Sequence, residues 1–102
     1  MEEQPLGNDQ AKAKLNRSLE EGQVVYSRHF RDELAKDALD MEDVRTVCRS
    51  GAIGMAAEKD VRTGNWKYRI EGITADRRHV AVVFTFIRKQ AAMFITVFER
   101  TS

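Results

Sequence analysis

The sequence predicts a single α+β domain, in which two to three N-terminal helices pack on one face of a roughly four-stranded antiparallel sheet. Three observations support this prediction. The chain has 102 residues, of which 42% are apolar, enough for one core. Apolar residues recur at helical spacing up to about residue 50 and with a period of two further on. The segments that separate the alternating stretches are short and polar, as in antiparallel hairpins.

The predicted helices follow a polar lead-in over residues 1–7, which we expect to be disordered, and residues 8–102 form the domain. The second helix begins after Ser27 and the third after Asp40, since both residue types are good N-caps. The first helix covers residues 8–21, where apolar side chains recur four residues apart: Ala11, Leu15 and Leu19.

A meander of about four strands is predicted after the helices, with all neighbouring strands antiparallel. The first strand is weak and runs from Ile53 to Glu58. The other three alternate, and we expect one side of each to face the helices. The inward set is Trp66, Tyr68 and Ile70, then Val80, Val82, Phe84 and Phe86, then Met93, Ile95 and Val97.

The same alternation predicts an outward face that mixes charged and apolar side chains. No helix is left to cover it, so either a ligand, a partner or a second subunit binds there, or one strand is out of phase by one residue. The predicted outward set is Lys67, Arg69, Glu71, His79, Ala81, Val83, Thr85, Phe94, Thr96 and Phe98.

Composition excludes several classes of protein. The longest apolar run, from Val80 to Ile87, is far shorter than the ~20 residues that a membrane-spanning helix needs, and the N-terminus is acidic. We therefore expect a cytoplasmic protein without membrane association. The one cysteine, Cys48, has no disulfide partner, and two histidines are too few for a structural metal site, so no metal or other cofactor is expected.

Charge is unevenly distributed along a chain whose net charge is only +1. Residues 1–60 carry nine Lys or Arg and thirteen Asp or Glu, whereas residues 61–102 carry eight and three. This asymmetry is explained either by an anionic ligand on the C-terminal half or by attraction between two halves of one domain.

Three segments together indicate a family. His29 opens the short second helix, Trp66 to Arg69 form a strand, and Ile95 to Glu99 form the last strand. Over roughly residues 10–100 the chain resembles a bacterial domain-of-unknown-function family allied to the RelE, ParE, MqsR and BrnT toxins of toxin–antitoxin systems. The resemblance implies helices on one face of an antiparallel sheet whose other face is concave.

In the toxins with nuclease activity, the concave face cuts RNA without a metal and uses the ribose 2′-hydroxyl as nucleophile. The resemblance implies His29, Arg69 and Thr96 as the matching catalytic positions, with Lys67 in support. Histidine titrates near neutrality and suits acid or base catalysis, and the guanidinium fork matches phosphate oxygens. The implied partners are RNA, free or on the ribosome, and a cognate antitoxin.

Several of these residues also have ordinary structural explanations. His29 can hydrogen-bond to backbone at a helix start, and Arg69 can pair with Glu71 or Glu99 across strands. Trp66 is better explained as a core anchor than as a stacking platform for a base. Basic side chains in or beside the predicted turns are either solvated or in contact with a sugar–phosphate backbone: Arg77, Arg78, His79, Arg88 and Lys89.

Two functions are therefore predicted from the sequence. The first is a toxin-like, metal-independent ribonuclease with His29 as general acid or base, Arg69 and Lys67 on the scissile phosphate, and Thr96 orienting the substrate. The alternative is a non-catalytic module on the same fold, which binds a protein partner or its own copy through the open sheet face. Its anchors would be Val83, Phe94 and Phe98.

Overall fold

The computed structural model describes residues 4–61, 63–88 and 91–100, and over these ranges the chain forms three helices and five strands. The predicted α+β class is confirmed. No helix in these ranges is long and apolar enough to cross a membrane. The elements are α1 (Asn8–Glu20), β1 (Val24–Tyr26), α2 (Arg28–Lys36), α3 (Met41–Ser50), β2 (Glu58–Lys59), β3 (Trp66–Ile73), β4 (His79–Arg88) and β5 (Ala91–Glu99).

Side-chain caps fix the starts of α2 and α3 where the sequence predicted them. The Ser27 hydroxyl accepts a hydrogen bond from the Phe30 amide at 2.9 Å. The Asp40 carboxylate accepts one from the Asp43 amide at 2.9 Å, and the Asp43 carboxylate accepts one from the Asp40 amide at 3.0 Å. Each cap satisfies amides that the first helical turn leaves without a backbone acceptor.

The sheet has five strands rather than four, in the order β1-β5-β4-β3-β2. The prediction that all neighbours are antiparallel is wrong for β1, which pairs parallel with β5. A three-residue strand is too short to show an alternation, which explains why the sequence did not reveal it. The strand predicted from Ile53 to Glu58 is also wrong in its bounds, because β2 contains only Glu58–Lys59.

All three helices lie on one face of the sheet, where the core forms. Phe30 of α2 packs against both Tyr26 and Phe94, with ring centroids 5.8 and 5.1 Å away, and the Tyr26 and Phe94 rings are 5.8 Å from each other. Most of the predicted inward side chains are confirmed as core residues. From the sheet, the fully buried core residues are Ile70, Val80, Val82, Phe84, Ala92, Phe94 and Val97.

A β-bulge in β5 corrects the predicted phase of that strand. Val83 pairs with Thr96 whereas Phe84 pairs with Phe94, so Ile95 is an extra residue. The extra residue reverses the alternation, and Phe94 points into the core with no exposed surface. The predicted outward position of Phe94, and with it a role as an accessible partner-binding anchor, is therefore wrong. Met93, predicted to face inward, instead lies opposite Thr85 on the outward face.

The C-terminus of α3 touches the backbone of β3 at two glycines. A Cβ atom on Gly51 would lie 2.4 Å from the Glu71 carbonyl oxygen and 2.5 Å from the Val47 carbonyl oxygen. A Cβ atom on Gly72 would lie 3.0 Å from the Cα of Gly51. Only glycine permits this contact, which sets the distance between α3 and the sheet.

Phe94 and Phe98 provide a test of the bulge. We expect Phe94→Ala to lower the free energy of unfolding by about 3–5 kcal/mol, because it opens a cavity in the core. Phe98 lies on the uncovered face and is partly exposed, so Phe98→Ala is expected to cost roughly 1–2 kcal/mol. Urea unfolding followed by circular dichroism measures both. Equal losses would contradict the assigned phase.

Gly51 and Gly54 form a matched pair for testing the helix–sheet contact. Gly51→Ala is expected to lower the free energy of unfolding by about 1–3 kcal/mol, because the methyl group collides with two backbone oxygens. At Gly54 a Cβ atom meets nothing within 4 Å, so Gly54→Ala is expected to change stability by less than about 0.5 kcal/mol. Denaturant titration of both variants checks this; a harmless Gly51→Ala would show that α3 can move away from β3.

Candidate functional site

The candidate site is the sheet face opposite the helices, which we call the open face. The strand register arranges its side chains in cross-strand rows. One row contains Val25, Met93, Thr85 and Lys67, the next contains Thr96, Val83 and Arg69, and the third contains Phe98, Ala81 and Glu71.

Three basic side chains converge on one carboxylate at the end of this face, and we call the four residues the Glu71 cluster. Arg69 Nε lies 2.8 Å from Glu71 Oε2, and His79 Nε2 lies 3.0 Å from Glu71 Oε1. Arg100 Nη1 donates to both carboxylate oxygens at 3.2 Å. The cluster thus places a carboxylate and an imidazole in contact, with two guanidinium groups beside the carboxylate.

Backbone pairing holds the cluster in place. The Glu71 amide donates to the Ala52 carbonyl at 3.0 Å, and the Ala52 amide donates to the Glu71 carbonyl at 2.9 Å. The Arg100 amide donates to the His79 carbonyl at 2.7 Å, which brings the residue after β5 beside the start of β4. These hydrogen bonds therefore set the relative positions of the backbone segments that carry the cluster.

The cluster is accessible from the open side. The exposed fractions of the Arg69 and Glu71 side chains are 27% and 22%, and those of His79 and Arg100 are 46% and 45%. The Arg69 guanidinium also lies over the Phe98 ring, with its carbon 5.3 Å from the ring centroid. A ligand can thus reach the charged groups directly and meet an aromatic surface beside them.

The structure does not bring His29 and Arg69 together. His29 is exposed near the start of α2, in the helical layer, whereas Arg69 lies on the open face. Strand β1 leads directly into α2 and is separated from β3 by β5 and β4. Three spacings of ~4.8 Å put these two strands roughly 14 Å apart. The catalytic roles predicted for the two residues stay untested predictions, but they do not describe one site.

Other predicted site residues fall in different places. Thr96 shares a cross-strand row with Arg69, and Lys67 lies two residues before it on the open face. Arg77 is exposed in the β3–β4 turn, with a positive φ of 69°. Arg88 is exposed at the end of β4. Lys89, predicted to contact nucleic acid, lies outside the described residues.

Arg78 is occupied within the chain. Its Nη1 donates to the Asp37 carbonyl at 2.9 Å, and its Nη2 donates to the Ala38 carbonyl at 3.2 Å. The hydrogen bond to Asp76 raises the pKa of Arg78, and the Thr74 hydroxyl lowers the pKa of Asp76. The carboxylates that approach the guanidinium are those of Asp76, Asp43 and Glu99, at 3.0, 3.5 and 3.8 Å. These contacts make Arg78 a structural clamp.

Two members of the Glu71 cluster are absent from the predicted site residues. The sequence predicts Glu71 only as an ion-pair partner of Arg69, and it predicts no role for Arg100. The spacing of Arg69 and Glu71, two residues apart on one strand, was the available signal, because it puts both side chains on one face. The approach of Arg100 depends on the β4–β5 register, which the bulge alters.

The remaining candidate groups do not add a second reactive centre. Burial raises the pKa of the Cys48 thiol to about 12, so the thiol stays protonated at neutral pH. In the ranges that the structure describes, no three His, Cys, Asp or Glu side chains are grouped so as to hold a metal ion.

Comparison with protein families gives one match. Residues 26–99 fit the model of a family described as "Domain of unknown function (DUF4258)", which covers well over half of the chain. The chain belongs to the DUF4258 family. The DUF4258 match contains Arg69, Glu71 and His79 and ends just before Arg100. Comparison with curated proteins and with solved structures gave no significant match. The relation to toxin–antitoxin systems stays a prediction.

Proposed function

We propose that the protein is a ribonuclease that cleaves RNA without a metal ion at the Glu71 cluster. The observation that carries this proposal is the contact of a carboxylate with an imidazole at 3.0 Å, between two guanidinium groups, on a face that no helix covers. These are the group types that transfer protons and stabilise a phosphorane-like transition state.

The proposed reaction is an attack of the ribose 2′-hydroxyl on the adjacent phosphorus. The Glu71 carboxylate accepts the hydroxyl proton, and the protonated His79 imidazole donates a proton to the departing 5′ oxygen. The bond between phosphorus and the 5′ oxygen breaks, which leaves a 2′,3′-cyclic phosphate and a 5′-hydroxyl. Arg69 and Arg100 bind the non-bridging oxygens, whose negative charge grows in the transition state.

Substrate binding would also free the Glu71 carboxylate from its arginine partners, so that it can act as the general base. Arg69 and Arg100 both contact Glu71. A phosphate group that takes over these two guanidinium groups leaves the carboxylate free to accept a proton. The same exchange explains why a catalytic carboxylate can be surrounded by cations before the substrate arrives.

The proposal revises the roles predicted from the sequence. His79 replaces His29 as the imidazole that donates a proton, while Arg69 keeps its place on the phosphate. Lys67 and Thr96, on the same face, support the backbone and orient the substrate. Phe98, beneath Arg69, supports the guanidinium through a cation–π contact beside the phosphate.

The ribonuclease proposal is tested with purified protein and free RNA in the presence of EDTA, and separately with intact ribosomes in a buffer that contains Mg²⁺. Glu71→Gln and His79→Ala are each expected to lower the cleavage rate by about 10²–10⁴-fold, because each removes a proton-transfer group. The expected products end in a 2′,3′-cyclic phosphate. Circular dichroism shows whether each variant is folded.

His29→Ala is the matched control, because it removes an exposed imidazole in the other layer of the fold. It is expected to retain full activity. Loss of activity in His29→Ala with normal activity in Glu71→Gln would contradict the proposed site and favour the one predicted from the sequence. Absence of cleavage by the folded wild-type protein in both substrate conditions would contradict the function itself.

We propose, as a second candidate function, that the open face binds a protein segment with acidic and apolar side chains. Val25 is 42% exposed, and Met93, Val83 and Phe98 extend this apolar surface toward the basic residues of the cluster. The excess of basic groups disfavours pairing of two copies through this face and favours an acidic partner, such as an antitoxin.

Peptide display against the immobilised protein tests this second candidate. Selected peptides are expected to combine Asp or Glu with Leu or Phe, and to bind at least about tenfold more weakly to the Phe98→Ser variant. A selection without enrichment over the same variant, or binding that Phe98→Ser leaves unchanged, would contradict this function.

A further inference from the structure

A cavity of about 480 Å³ lies at the opposite end of β3, away from the Glu71 cluster. The helix-side residues Trp66, Tyr68 and Phe86 line it, together with Lys14, Lys59 and Arg88. Trp66 and Glu71 are five positions apart on β3, so at ~3.3 Å per residue they are separated by roughly 17 Å along the strand, on opposite faces. The cavity is thus a separate site.

The cavity pairs lysines with aromatic rings. Lys14 Nζ lies 4.5 Å from the centroid of the Phe86 ring, and Lys59 Nζ lies 5.7 Å from the centroid of the Trp66 ring. Arg88 adds a third positive charge, and no carboxylate is present among the described residues that line the cavity. Such a cavity attracts an anion and also offers flat surfaces for a ring.

One polar group in the wall lacks a partner. The indole Nε1 of Trp66 is buried and has no hydrogen-bond acceptor among residues 4–61, 63–88 and 91–100. A buried donor without an acceptor is unfavourable, so an acceptor supplied by a ligand would be favoured.

The segment before the family match completes this cavity. Leu6 lies in the wall, and its amide donates to the Tyr68 hydroxyl at 3.0 Å. Lys14 belongs to α1, which also precedes residue 26. The cavity therefore depends in part on residues that lie before the region matched by the DUF4258 model.

We propose that this cavity binds a nucleoside monophosphate, with the base against Trp66 and Phe86 and the phosphate held by Lys14, Lys59 and Arg88. The volume lies in the range of small-ligand sites. Stacking surfaces, several cations and an unsatisfied ring N–H donor together match a planar base joined to a phosphate. This inference does not rest on the proposed ribonuclease function, because it uses none of the cluster residues.

Trp66 is the only tryptophan of the chain, so its fluorescence reports directly on this cavity. The wild-type protein is titrated with AMP, GMP, CMP and UMP at low salt, and the binding is checked by calorimetry. At least one nucleotide is expected to change the emission saturably, and adenosine and inorganic phosphate are expected to bind at least about tenfold more weakly.

Two variants and two controls locate the binding. Lys14→Ser and Lys59→Ser are each expected to weaken nucleotide binding about tenfold. Lys36→Ser, which removes an exposed charge at the end of α2, and Glu71→Gln are expected to bind as the wild type does. No saturable binding of any of the four nucleotides, equal binding of phosphate alone, or equal loss in Lys36→Ser would overturn the proposal. If Glu71→Gln loses ribonuclease activity but binds the nucleotide normally, the nucleotide-binding proposal is tested independently of the ribonuclease proposal.

Discussion

The contact between Gly51 and Gly72 is the constraint from which the rest of the structure follows. It brings the last turn of α3 onto the β3 backbone, where Ala52 forms two hydrogen bonds with Glu71. Helix α1 attaches at the same place, because Lys12 Nζ donates to the Gly51 carbonyl at 2.7 Å and Asn16 Nδ2 donates to the Cys48 carbonyl at 2.8 Å. One short stretch of backbone thus joins two helices to the sheet. The Glu71 carboxylate of the candidate site projects from this part of β3 on the open face, opposite the helices.

Arg78 makes a second junction at the other side of the helical layer. It ties the carbonyls of the α2–α3 connection to the β3–β4 turn, and the Glu99 amide adds a hydrogen bond to Asp37 at 3.1 Å. The charged groups of the chain thus divide by role. Arg78 is surrounded by groups of its own fold. In the part of the chain that the structure describes, Arg69 and Arg100 contact one carboxylate, that of Glu71, and stay partly exposed. A ligand phosphate can compete with Glu71 for Arg69 and Arg100, but it cannot displace the several partners of Arg78.

The sequence predicted what local physics controls. Ser27 and Asp40 cap helices because their side chains satisfy the first amides, and the alternation from Trp66 to Ile70 follows from the pleat of a strand. It did not predict what depends on pairing between distant residues. The bulge at Ile95 turns Phe94 inward without any break in the apolar pattern, and the approach of Arg100 to Glu71 needs the register of three strands. The sequence therefore named Arg69 and His79 as separate candidates, but the cluster that they form with Glu71 and Arg100 depends on the strand register.

The parallel pairing of β1 with β5 has a consequence for the order in which the molecule assembles. Ser27 Oγ donates to the Ile95 carbonyl, 68 residues further along, and Phe30 needs Phe94 to complete its ring stack. During synthesis the second helix therefore has no surface to dock on until the final strand has emerged. Because these contacts join residues far apart in the sequence, the chain gains most of its stability late in folding. It therefore folds more slowly than its small size suggests. Tyr26 and Phe30 thus lack their ring partner Phe94 until β5 has been synthesised.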